Sequence, residues 1–302
     1  MRVLILHTLP PERAGQGRWE WEFDLHATAE EIAAGLPDAV IAGVHGQPAE
    51  MIAAIARVRP DVVFNLCEAP LCDPRREAHA AMLFEWLRVP FTGSRSDTLA
   101  LCRRKDLTKI VLAAAGIRVP RAGVYPCIVK PLDEDGSAGI DRDSVCDNQR
   151  QAAAVVARAA GPMIVEEFLP GREFVVSMWG PGEPECLVVG EIAFSGGSTI
   201  ITYEGKWDME SDAYVNAPLV LHGRLDAVLE GRLMDVAKRV WRATGLRGYG
   251  TVDLRLDEHG VPCVIDVNPN AALNAEGRVC RAAEKAGWAW AEFLRRQVEW
   301  AR

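Results

Sequence analysis

The chain has 302 residues, 49% hydrophobic, 25% charged and 7% aromatic, with a formal net charge of −8. A chain of this length buries about three-quarters of its extended surface, so it needs no disulfide or structural metal, and its composition excludes a disordered, collagen-like or coiled-coil protein. The acidic balance argues against broad nucleic-acid binding, which runs on surplus Lys and Arg.

Residues 2–7 read as an apolar strand. No signal-peptide pattern follows Met1 and no apolar run reaches membrane-spanning length, so a cytoplasmic location with no membrane contact is expected. A Gly-containing loop around Gly15 and Gly17 leads to a helix at 22–35, a strand at 40–44 and a helix at 49–58 that Pro60 stops. Residues 61–66 are a near-continuous apolar strand, the kind buried on both faces of a parallel sheet. A helix at 75–87 and a short strand with a turn at 90–93 complete the block, which ends near residue 98. Strands alternating with helices predict a doubly wound α/β sheet.

The pattern then changes. A helix at 98–115, closed by Gly116, precedes a strand at 124–130 and a loop at 131–140. An Ala-rich helix at 147–160 and a strand at 163–167 follow. Strands are predicted at 173–179, 185–193 and 198–203, then an amphipathic helix at 226–243. A hairpin pairs 250–256 with 261–267, and the tail at 276–301 is helical. This second part is α+β. The eight cysteines form no C-x-x-C pair, and no Cys or His share zinc-ligand spacing, so free and mostly buried thiols are expected.

Four groups can carry chemistry. On the hairpin, Asp253 lies on one strand, and Asp266 and Asn268 lie two apart on the other. Residues two apart share a face, and antiparallel neighbours meet across the ladder. The donors are all oxygen, which suits a hard cation such as Mg²⁺; solvated carboxylates on an edge hairpin are the competing reading. Apolar flanks favour the cation, because two like charges 4 Å apart repel by roughly 4 kcal/mol at an effective dielectric near 20. Second, Lys130 ends a strand before a loop holding Gly136, Ser137 and Gly139, where backbone N–H groups could approach a phosphate, although a Gly-rich hairpin turn would look the same. Third, Glu166, Glu167 and Glu173 flank a turn and could accept from an amino group or a ribose, although a charged turn would read alike. Fourth, lysine is scarce. Only Lys105, Lys109, Lys130, Lys206, Lys238 and Lys285 occur, and arginine supplies the other 28 basic residues.

In this order the pieces resemble the ATP-grasp superfamily, and within it the D-alanine–D-alanine ligase group. The resemblance rests on Asn65-Leu66-Cys67-Glu68, Pro90-Phe91-Thr92-Gly93-Ser94, Lys105-Asp106-Leu107-Thr108-Lys109, Ile128-Val129-Lys130-Pro131, Val165-Glu166-Glu167-Phe168-Leu169 and Tyr203-Glu204-Gly205-Lys206-Trp207, with the hairpin acids. It implies an N-terminal Rossmann-like domain at 1–98, a central ATP-grasp subdomain at 99–172 and a C-terminal subdomain with the metal site at 173–302. It implies ATP and two Mg²⁺ ions (Mn²⁺ as a substitute), amino-acid or carboxylate substrates, and a homodimer. Lys105, Lys130, Gly136 and Ser137 would bind phosphates. Glu166 would contact the adenine amino group, Glu167 and Leu169 would offer backbone groups to the ring, and Glu173 would hold the ribose. Lys206 would sit near the transferred phosphate, and Asp253, Asp266 and Asn268 would share the metals. Lys206, Ser137 and Arg255 form the expected catalytic group. Lys109 either joins the phosphate field or faces solvent, and Lys238 and Lys285 are surface residues.

Four departures separate the chain from the ligases. Asp266 stands where Glu is usual. Thr251 stands where an Arg is often found, two residues before the first metal Asp, and Arg255 or an Arg from elsewhere is expected to supply the charge. After Asn268 the run is Pro269-Asn270-Ala271-Ala272-Leu273-Asn274 instead of a Pro-Gly-Met-Thr-like loop. A helix is missing between Pro120 and Lys130. A substrate ammonium would meet Glu20, Glu22 or neither. Cys67 and His79 are expected to be structural.

Overall fold

The computed structural model describes residues 1–10, 24–221, 225–274 and 277–302. Its first layer is a parallel sheet of β1 (Val3–Thr8), β2 (Val40–Val44) and β3 (Val62–Leu66) in the order β2-β1-β3, with Phe91 bridging to Val63 in parallel at the far edge. All six residues of β1 and all five of β3 are buried, as two-sided burial in a parallel sheet requires. Helices α1 (Asp24–Gly35), α2 (Pro48–Val58) and α3 (Glu77–Trp86) cover the sheet. Pro48 begins α2, where its missing N–H costs nothing.

The predicted helix at 98–115 is two helices, α4 (Ser96–Arg103) and α5 (Lys105–Ala114). Arg104 between them adopts extended backbone at φ −95°, ψ 91°. The break turns Lys105 and Lys109 inward, and no Pro or Gly in the sequence marks it.

A second, antiparallel sheet is formed by β4 (Cys127–Pro131), β5 (Val145–Cys146) and β6 (Met163–Glu167) in the order β5-β4-β6. Helix α6 (Gln149–Arg158) packs on it, begun by Asn148, whose side chain accepts from the Gln151 N–H. The third sheet holds β7 (Glu173–Gly180), β8 (Cys186–Ile192), β9 (Leu219–Val220), β10 (Gly248–Leu256) and β11 (Pro262–Asn268), in the order β11-β10-β7-β8-β9. The strand expected at 198–203 is absent. Its β-branched residues suit a strand, but Thr202 accepts from the Gly205 N–H and starts helix α7 (Tyr203–Trp207) instead. Helix α8 (Asp212–Val215) follows.

Helix α9 (Ala227–Thr244) buries Leu233, Ala237, Val240 and Trp241 against the third sheet and ends at Gly245, whose φ of 74° suits glycine. The expected tail helix is α10 (Arg278–Lys285) and α11 (Trp290–Trp300), parted by Ala286, Gly287, Trp288 and Ala289. Trp179, Phe293 and Leu294 join the third sheet and α11 to the core under β1 and β3. This cluster fixes the third sheet to the first, while the second sheet keeps a core of its own and meets β11 where Lys130 donates to the Ile265 carbonyl, beside a cleft lined by Lys105, Lys109 and Asp266. The eight cysteines are free. No helix among the described residues is long and apolar enough to cross a membrane.

Candidate active site

The cleft is built around buried lysines. Lys130 Nζ lies 2.7 Å from Glu166 Oε1 and 3.0 Å from the Ile265 carbonyl oxygen. Lys109 Nζ lies 2.8 Å from Glu166 Oε2. The strand register explains the first pair. Glu166 stands opposite Ile128 on β4, and Ile128 and Lys130, two apart, share a face. Lys109 arrives from the first turns of α5, so it belongs to the buried field and not to solvent. Burial alone would push the Glu166 carboxyl up, but the two ammonium groups hold it below the usual range. For Lys109, burial and the charge of Lys130 win, and its pKa is lowered. For Lys130, burial is outweighed by Glu166 and Asp266, and its pKa is raised.

Lys105 Nζ donates to the Glu134 carbonyl and lies 3.8 Å from Asp135 Oδ1. Asp135 also pairs with Arg103, which reaches Glu77 on α3 at 2.9 Å. The loop after β4 is thus tied to α3, α4 and α5. Gly136, Ser137 and Gly139 in this loop have φ of 66°, 59° and 72°. Backbone in this region can turn successive N–H groups into an anion-binding hollow. Gly139 has no room for a side chain, since a Cβ there would lie 2.8 Å from Pro131 Cγ. Trp207 Nε1 donates to the Gly136 carbonyl at 2.8 Å, joining this loop to α7. Lys206 beside it sits 5.7 Å from the Trp207 ring centroid. Burial, then the nearby Arg278, push the Lys206 ammonium down to about 8.

On the hairpin, Asp253 stands opposite Asp266 and Thr251 opposite Asn268. A β-bulge between Asp253 and Leu254 shifts the register there. Burial pushes the Asp266 carboxyl up, but Lys105, Lys130 and Lys109 together hold it below the usual range. Asn268 Oδ1 accepts from the Asn270 N–H at 2.9 Å. Two facing carboxylates, one held anionic by three lysines, and an amide oxygen form an all-oxygen donor set, which fits a hard divalent cation.

The turn after β6 links the second sheet to the third. Glu167 points its carboxylate away from the cleft, to Arg121 and, at 3.4 Å, to Arg118. Hydrogen bonds from Arg121 hold it down at about 2. Its N–H is taken by the Arg121 carbonyl at 2.8 Å, and the Phe168 N–H by Pro126 at 2.9 Å. The N–H of buried Leu169 meets no acceptor among the described residues.

Of the sequence-predicted residues, Lys105, Lys109, Lys130, Glu166 and Asp266 lie together at this cleft. Arg255 does not reach the acids. It stands directly opposite Glu173 on β7, and its Nη1 lies 3.3 Å from Glu173 Oε2. Its Nε donates to the Gly171 carbonyl at 3.1 Å, and its guanidinium lies 4.8 Å from the Phe168 ring centroid. A carboxylate in the cross-strand position captures the guanidinium before it can turn to Asp253. The cation that does meet Asp253 is Arg278 on α10, whose Nη1 lies 3.1 and 3.0 Å from the two carboxylate oxygens. Glu20 and Glu22 lie outside the described residues. Cys67 is buried, its thiol on the Leu6 carbonyl at 3.5 Å and pushed up by burial, which is a structural role. His79, expected to cap or pack, is exposed on α3.

Comparison with known proteins points the same way. The model of a family described as the D-ala D-ala ligase C-terminus matches residues 105–299. A D-alanine–D-alanine ligase of Gluconobacter oxydans is 29% identical, over 81% of this chain and 82% of its own length. One from Bordetella petrii is 30% identical, over 69% of this chain and 67% of its own. The crystal structure of the D-alanine–D-alanine ligase from Bacillus anthracis complexed with ATP superposes with a TM-score of 0.77 at 16% identity, covering 100% of this chain and 97% of that one. At that identity the likeness carries the fold.

Proposed function

The chain belongs to the D-alanine–D-alanine ligase family of the ATP-grasp superfamily, and on that footing we propose that it is an ATP-dependent carboxylate–amine ligase working through an acyl phosphate. The observation that carries the reading is the convergence of Lys105, Lys109 and Lys130 on Asp266, with Asp253 opposite it on the hairpin. Buried cations facing a carboxylate pair suit a polyphosphate that arrives with its metal, because phosphoryl transfer is mostly positioning and charge neutralisation.

In this reading the adenine lies at the turn after β6. The unpaired Leu169 N–H donates to a ring nitrogen, and the Glu167 carbonyl accepts from the amino group. Glu166 is engaged by two ammonium groups and acts first as their counter-ion. Glu173 receives the ribose hydroxyls. Lys105, Lys130 and the N–H groups around Gly136 and Ser137 hold the phosphates, and Lys206 approaches from α7. Asp253, Asp266 and Asn268 would hold Mg²⁺, which when bound neutralises charge on the transferring phosphoryl group.

The chemistry is then two displacements. A substrate carboxylate oxygen attacks the terminal phosphorus, the bond to the bridging oxygen breaks, and ADP leaves with that electron pair. An amine nitrogen attacks the acyl carbon, the bond from that carbon to the phosphate oxygen breaks, and phosphate leaves as the amine proton passes to base. Lysines and loop N–H groups exclude water and stabilise the leaving charge in both steps. The substrates are an amino-acid pair. D-Alanine with itself is the first pair to try, although Asn270, bonded to Glu77 and to the Tyr249 hydroxyl, gives the loop after β11 a side-chain lock of its own.

The test is ADP release on a panel of paired amino acids. Release that requires both a carboxylate and an amine supports the ligase. Release with a single hydroxyl acceptor and a stable phosphorylated product would make the protein a kinase. ATP binding without turnover would leave a nucleotide-binding protein.

A further inference from the structure

Asp253 and Arg278 come from different elements and meet in the cleft. Asp253 is in the middle of β10, and Arg278 is the first residue of α10. Both are partly exposed, Asp253 at 21% and Arg278 at 24% of the side chain. One nitrogen, Nη1, makes both contacts to the carboxylate. Among the described residues, Nη2 and Nε make no hydrogen bond. The backbone behind is anchored, since the Ser177 hydroxyl on β7 donates to the Arg278 carbonyl at 3.3 Å. A planar guanidinium pinned at one nitrogen presents its remaining donors in a fixed direction, which suits bidentate binding of a carboxylate or phosphate.

Among the described residues, Arg255 is the one arginine on the strands of the third sheet. Thr251, two residues before Asp253 on the same strand face, carries no charge, and Arg255 is held by Glu173. We propose that Arg278 is a catalytic residue of this chain: Asp253 fixes it through Nη1, and Nη2 and Nε donate to the substrate carboxylate while its oxygen is phosphorylated. The assignment rests on the ligase reading above. It also makes Arg278 a filter for substrate. An acid whose carboxylate cannot reach the Asp253 side of the cleft fails at the first displacement.

A positional replacement tests this. Thr251 shares the face of Asp253, so a guanidinium on residue 251 can enter the space that Arg278 leaves. ADP release is measured on a mixture of L- and D-amino acids for the wild type, Arg278→Met, Arg278→Lys, and Arg278→Met with Thr251→Arg. Calorimetric binding of ADP with Mg²⁺ and thermal melting accompany each. Removal of a preorganised donor typically lowers turnover by about 100-fold or more. Arg278→Met is expected to fall by about that factor with ADP affinity within about threefold of wild type. Arg278→Lys keeps the charge without the fork and should fall between them, and Thr251→Arg should restore at least about tenfold. Turnover by Arg278→Met within about threefold of wild type overturns the assignment and leaves the ligase reading intact. So does a loss matched by an equal loss of ADP affinity that neither Arg278→Lys nor Thr251→Arg recovers. If the wild type binds ADP but releases none on the mixture, the ligase reading fails and the assignment with it.

Discussion

Lys109 Nζ lies 2.8 Å from Glu166 Oε2, and Lys130 holds the other oxygen of the same carboxylate at 2.7 Å. The carboxylate is 2% exposed, so it stays ionised only because two ammonium groups share it. Removing one partner of a buried pair leaves charge uncompensated and costs about 3 kcal/mol or more. Lys109→Met should therefore lower the melting temperature by several degrees, whereas Lys285→Met, on the exposed side of α10, should leave it unchanged. Equal melting temperatures for the two variants would remove Lys109 from the buried field.

Lys206 gives the site an alkaline limit. Its ammonium is pushed down to about 8 by burial and by Arg278. It is charged below that pH and loses its proton above it. ADP affinity should hold between pH 6 and 7.5 and then weaken as pH rises through about 8. Lys206→Arg keeps its charge throughout and should flatten that limb. A wild-type binding curve unchanged up to pH 9.5 would contradict this role.

Glu173 works in the opposite sense. Burial pushes its carboxyl up from the usual 4.5 to about 7, with Arg255 only partly offsetting this. A raised folded-state pKa means that the contribution to stability is fully present below the unfolded value and is lost as pH rises through the folded one. The loss is about 3 kcal/mol at most. Wild-type protein without nucleotide should lose stability between pH 5 and 8 relative to Glu173→Gln, whose side chain does not titrate. Parallel pH profiles of melting temperature for the two proteins would refute it.

The hairpin acids predict a metal-dependent nucleotide affinity. EDTA should weaken ADP binding to the wild type by at least about tenfold, because the phosphates then face Asp266 and Asp253 with no divalent cation between them. Asp266→Asn should bind ADP with little dependence on Mg²⁺. An EDTA-insensitive wild type would mean that the carboxylate pair serves the lysines and not a metal.

Much of this was legible in the sequence, and the physics explains which parts. The apolar runs of β1 and β3 marked a parallel sheet because burial on both faces leaves no polar alternation. The two-residue spacing of Asp266 and Asn268 survived into the fold because strand periodicity is rigid. Arg104 was not legible as a helix break, since nothing in its chemistry forbids a helix, and the depth of Lys109 followed from that break. The stretch before Tyr203 reads as strand by propensity, yet the local hydrogen bond of Thr202 overrides it. Arg278 lies 25 residues beyond Asp253, after a loop whose path no periodicity records. Its contact with Asp253 could be suspected only from the uncharged Thr251, and Arg255, nearer in sequence, is taken by Glu173 directly across the ladder.

The most direct test of the ligase reading is the stoichiometry of one turnover, followed by ADP, phosphate and product mass with amino-acid pairs. Each event should yield one ADP, one phosphate and one amide, with no ADP when either the carboxylate or the amine is withheld. ADP formed without an amine together with a stable phosphorylated acceptor, or ATP bound with no ADP formed on any pair, would contradict it.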